Sequence, residues 1–73
     1  MVKAIILVKS PKKLFAGRLR KINHMLESFP VSGQFDAVVV IQVDELNKIK
    51  AITTEIQKIS GVERTETMVE VNS

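Results

Sequence analysis

Six cations, Lys9, Lys12, Lys13, Arg18, Arg20 and Lys21, crowd one stretch of this 73-residue chain, whose net charge is +3. Clustered Lys and Arg can neutralise phosphates. No aromatic residue interleaves with these charges as a stacking partner, because Phe15 belongs to an apolar stripe described below. The cluster therefore reads as a solvated helix face whose alkyl stems lie over the core. Other chemistries are sparse. There is no Cys, which excludes disulfides, thiolate metal sites and cysteine nucleophiles. A single His24 makes no metal cluster and completes no Ser/His/Asp set. No phosphate loop is present, and the chain reads as a non-enzyme without a cofactor.

The elements that must position any site begin with Lys3-Ala-Ile-Ile-Leu-Val-Lys9 and Ala37-Val-Val-Val-Ile-Gln-Val43. A strand with one wet face alternates apolar and polar residues, whereas a continuous apolar run implies burial on both sides. Residues 2–9 are the first strand. Ser10-Pro11 starts a helix, with Ser as N-cap and Pro at the first helical position. Phe15, Leu19, Ile22 and Leu26 give it an apolar stripe beside Leu14 and Met25, and His24 falls late in it. Residues 27–32 form a weaker strand, which Pro30 confines to a sheet edge. Ser32-Gly33-Gln34 is a turn, and residues 36–43 return antiparallel.

Asp44 is placed to cap a second helix with the stripe Leu46, Ile49, Ile52, Ile56 and Ile59. Gly61 suits the left-handed position after that helix, and Lys58 suits its negative end. Residues 62–71 form a fourth strand. The order β-α-β-β-α-β predicts a ferredoxin-like α+β fold with strands one and three central in a four-stranded antiparallel sheet. The chain reads as one domain over residues 1–73. The first apolar run is too short for a signal peptide or a membrane span, and a cytoplasmic location is expected.

Two helices cover only one face of such a sheet. Roughly five aliphatic side chains on the other face, at ~1.5–3 kcal/mol each, place ~10 kcal/mol at stake. That is comparable with the stability of a whole domain. Chains this small bury only ~60% of their unfolded surface and need support. Pairing two sheets face to face supplies it, so a self-associating chain is expected.

Three segments resemble the effector-binding domain of the Lrp/AsnC regulators. Ser32-Gly33-Gln34-Phe35-Asp36 is similar to that family's Gly-x-x-Asp turn. Ile59-Ser60-Gly61-Val62-Glu63-Arg64-Thr65-Glu66-Thr67 is similar to its Gly-Val-x-Arg-Thr-x-Thr segment. Val2 to Lys9 is similar to its first strand. Since strand one begins at residue 2, the expected relative is the stand-alone form, the RAM domain, and direct DNA binding is not expected. Pro30 in strand two and Ser32 in place of the usual Thr depart from the family pattern.

The resemblance implies a face-to-face dimer, a dimeric α+β barrel, that assembles into an octamer or decamer. It implies a free amino acid bound between dimers, and full-length Lrp/AsnC regulators as partners. The residues can supply the chemistry. Gly33 allows a ligand close to the backbone, and the N–H groups of Gly33 and Gln34 can meet a carboxylate. Asp36 can accept from an ammonium. Phe35, Arg64, Thr65 and Thr67 complete the candidate set. The same residues also have structural readings: a tight hairpin for Gly33, a local turn bond for Asp36, β-propensity for the threonines and a surface ion pair for Arg64. The alternative function is a structural oligomerisation partner with no ligand of its own.

Overall fold

The computed structural model describes residues 1–10, 22 and 24–71. Strand β1 spans Val2–Lys9, β2 Met25–Pro30, β3 Ala37–Val43 and β4 Arg64–Val69; helix α1 spans Asn47–Gln57. They form one four-stranded sheet in the order β2-β3-β1-β4. All three pairings are antiparallel. The two most apolar strands are central, and the strand carrying Pro30 lies at an edge, as the sequence requires. The expected first helix falls mostly on residues 11–21, outside the described residues.

Burial alternates along both central strands although their sequences do not. Ala4, Ile6 and Val8 of β1 and Ala37, Val39, Ile41 and Val43 of β3 are buried with Ile49, Ile52 and Ile56 of α1. Those isoleucines stand at helical spacing, which puts them on one face of α1. Ile22, Met25, Ile59 and Val62 pack at the margin of this core. The intervening strand residues point to the opposite face. There, Ile5 lies opposite Val40 and Leu7 opposite Val38, Phe29 flanks Val38 and Met68 flanks Ile5. Ile5 is 38% exposed while its neighbour Ile6 is fully buried. The double-sided apolar pattern thus resolves into a covered face and an open apolar face.

Four local expectations change. His24 is not helical: it sits in a turn with φ 67°, and its carbonyl accepts the Gln42 N–H at 3.1 Å. Met25 and Leu26 belong to β2, which starts two residues before Glu27, and Leu26 lies where the register shifts between Met25 and Glu27. A β-bulge of this kind places two residues opposite one. Leu46 is exposed rather than part of the buried stripe, because α1 begins only at Asn47. Asp44 makes no cap hydrogen bond; it pairs instead with Lys48 at 2.8 Å, one helical turn on. That contact holds the Asp44 carboxyl below its ordinary pKa and the Lys48 ammonium above its own.

Candidate functional site

The turn between β2 and β3 and the lead-in to β4 meet at one end of the sheet. Gly33 has φ 116°, and nothing lies within 4 Å of where a Cβ would stand. Its left-handed backbone is therefore what favours glycine, not crowding. Gln34 is exposed beside it. Phe35 packs under the Arg64 guanidinium, whose carbon lies 5.2 Å from the ring centre. That is cation–π range. Among the described residues Arg64 makes no ion pair, so its donor fork is held in place without being consumed.

Asp36 is tied into the backbone. Its N–H donates to the Val8 carbonyl at 2.8 Å, and its carbonyl accepts from the Val31 N–H at 3.0 Å. Its carboxylate oxygen Oδ2 accepts the Ser10 N–H at 2.8 Å. The Lys9 ammonium stands 3.9 Å from the same oxygen. Ser10 is buried, and its hydroxyl donates to the Gly61 carbonyl at 2.7 Å. Glu63 donates its N–H to the Lys9 carbonyl at 2.8 Å. The end of β1, the start of β3 and the approach to β4 are thereby locked together. Gly61, with φ 98°, supplies the carbonyl from a conformation that glycine adopts readily.

Of the sequence candidates, the structure brings Phe35 and Arg64 into contact, with Gly33, Gln34 and Asp36 on the same turn. Thr65 and Thr67 point to the other side of β4, toward α1. The Gln57 side-chain amide donates to the Thr65 hydroxyl at 2.9 Å, and the Thr53 and Thr67 hydroxyls lie 3.3 Å apart. An open groove of about 440 Å³ runs between α1 and β4 beside them, with Ile49 and Leu46 in its wall. Ser10 is the residue whose reach sequence reasoning missed. Its polarity marked it as a helix cap, and nothing local signals a bond 26 residues away.

Among the described residues no group of three metal-ligating side chains gathers, and no helix is long and apolar enough to cross a membrane. The arrangement sets a cation on an aromatic ring, the Asp36 carboxylate and the exposed turn residues Gly33 and Gln34 at the same end of the sheet.

The profile of the Lrp/AsnC ligand binding domain matches residues 3–73. The structure of FFRP-DM1 is similar, with 27% identity and a TM-score of 0.86, over 97% of this chain and 100% of that one. TTHA0845 from Thermus thermophilus shares the fold at 23% identity and a TM-score of 0.86, over 100% and 96%. So does the feast or famine regulatory protein Rv3291c from M. tuberculosis complexed with L-methionine, at 17% identity and a TM-score of 0.82. This chain is covered fully there but spans about half of that protein, 52%. No curated protein matches the chain significantly in sequence. With a matched profile over nearly its whole length and the four-stranded α+β fold, the chain belongs to the Lrp/AsnC ligand-binding domain family.

Proposed function

We propose that this chain is an amino-acid effector-binding module, acting in the cytoplasm in transcriptional regulation by joining the oligomers of full-length Lrp/AsnC regulators. The observation that carries the reading is the Phe35–Arg64 contact. It joins the two segments, turn and β4 lead-in, from which a zwitterion would draw its donors and acceptor. The Arg64 fork suits a carboxylate. The free side of the Asp36 carboxylate suits an ammonium. Family membership and a relative complexed with L-methionine support the ligand class.

A single copy presents this rim on its surface. Small-molecule sites are concave and enclose most of their ligand, so a second copy is needed to close the site. The open face provides the first step of assembly: Ile5, Leu7, Val38 and Val40 are contiguous there, and an isologous pair of sheets covers them.

Titration calorimetry with the twenty amino acids tests the reading. Heat from at least one of them, lost in Arg64→Ala with the particle mass unchanged, is expected. No heat from any of them removes the ligand. The second reading, an assembly partner without a ligand, is favoured by one fact: Asp36 Oδ2 already serves the Ser10 N–H. A ligand-free protein that captures a full-length regulator of the family would select it.

A further inference from the structure

We infer that the ligand rim selects an amino acid with a second carboxylate, L-aspartate or L-glutamate, and that Lys9 is the residue that selects it. This rests on the effector-binding reading above and names the ligand class of the same site. Lys9 follows Ile5 and Leu7 on the open side of β1 by the two-residue period of a strand. Its cross-strand partner on β4 is Arg64. Side chains paired in this way share a face, and like charges so placed repel. Lys9 also stands 3.9 Å from Asp36 Oδ2. Two cations and one carboxylate therefore meet at this end of the sheet. Among the described residues neither Glu63 nor Glu66 pairs with either cation. The rim carries one positive charge more than its own acids neutralise.

Ligand binding at such a rim is an exchange of partners. An amino acid sets its α-carboxylate on Arg64 and its ammonium on Asp36. Asp36 Oδ2 already faces two groups, the Ser10 N–H at 2.8 Å and the Lys9 ammonium. The Ser10 N–H is fixed in the backbone. The Lys9 contact is long, lies between partly exposed side chains and ends a flexible four-carbon stem. Lys9 is thus the partner that an incoming ammonium displaces.

What becomes of Lys9 then depends on the ligand. A neutral side chain leaves the ammonium without an anion and beside Arg64. Closing the site with a second copy makes this worse, because an unpaired charge is costly to take out of water. A side-chain carboxylate gives Lys9 a new anion. The free rim holds one ion pair and an unpaired Arg64; with an acidic amino acid all four charged groups of the site and the ligand ammonium have opposite-charge partners. An acidic ligand, with one net negative charge, cancels the excess of the rim. A neutral ligand leaves it, and a basic one adds to it.

Titration calorimetry with L-glutamate against L-glutamine, and L-aspartate against L-asparagine, measures this selection at nearly constant ligand shape. At least one acid is expected to bind about five-fold or more tightly than its amide. Added salt is expected to narrow that ratio, since partly exposed charges are screened. Lys9→Gln is expected to bring the ratio close to one, and Lys9→Arg, which keeps the charge, to retain it. A lysine with a merely structural role would weaken acid and amide alike. The inference is overturned if each amide binds the wild type as tightly as its acid, or if the ratio survives in Lys9→Gln. Heat from neutral amino acids alone overturns the selection and leaves the effector-binding reading standing. No heat from any of the twenty amino acids overturns both.

Discussion

The Asp36 carboxylate accepts the backbone N–H of Ser10 at 2.8 Å, fastening the first residue after β1 to the last residue before β3. Ser10 is buried, while the Asp36 side chain that accepts from it is partly exposed. A residue suited to binding an ammonium is therefore also a structural bracket, and the two roles must be separated by experiment.

Asp36→Ala leaves that N–H without its acceptor and is expected to cost about 1–3 kcal/mol. Asp36→Asn keeps an oxygen acceptor and removes the charge. Urea denaturation of the two variants checks the contrast: the alanine variant loses stability and the asparagine variant retains most of it. Only Asp36→Asn is then suited to a binding assay, where loss of affinity at intact stability assigns the ammonium to Asp36.

Gly33→Ala isolates backbone strain. Nothing crowds an added Cβ there, yet φ 116° is a region that alanine avoids. A loss of about 1–3 kcal/mol is expected. Denaturant midpoints equal to those of wild type would show that the turn relaxes at no cost.

The core prediction contrasts two residues of one apolar pattern. Ile56 is fully buried under the sheet and Leu46 is exposed. Ile56→Ala is expected to cost about 2–5 kcal/mol, while Leu46→Ala stays within about 0.5 kcal/mol under conditions where the copies are dissociated. Thermal melts of both variants, recorded by circular dichroism, check it.

These contrasts mark where the sequence was legible. Strand order and the central place of β1 and β3 follow from the order of elements and the handedness of crossovers, and the apolar runs and the edge place of the Pro30 strand agree with it. The buried set Ile49, Ile52 and Ile56 follows from helical spacing. Leu46 continues that spacing but precedes the first helical residue, and spacing does not report where a helix starts. His24 and Met25 read as helix because Met25 and Leu26 extend the apolar period. A left-handed residue followed by a bulged strand breaks that period, and neither leaves a strong local signal in His-Met-Leu-Glu. At the site, the turn and the Arg64 segment were legible as motifs. The Phe35–Arg64 contact and the Ser10–Asp36 bond join segments far apart in the chain and needed the fold.

The Asp44–Lys48 pair carries a pH prediction. The Lys48 ammonium holds the folded Asp44 carboxyl below its ordinary pKa. A depressed carboxyl stabilises the fold above its unfolded pKa, and that contribution is lost as pH falls through the folded value. Both groups are exposed, so the effect on stability is small. Lys48→Gln is expected to move the Asp44 titration upward, read by NMR at the side-chain carboxyl carbon. An unchanged titration would show that the contact is not kept in solution.

The central claim is that the face bearing Ile5, Leu7, Val38 and Val40 is covered by a second copy, which builds both the particle and its ligand sites. Sedimentation equilibrium at micromolar concentration, on the wild type and on Val40→Lys, tests it most directly. The account predicts a wild-type mass of at least two chains and a smaller particle for Val40→Lys, whose ammonium would otherwise be buried unpaired between the sheets. A wild-type protein that is fully folded and sediments as a single chain of 73 residues would contradict it.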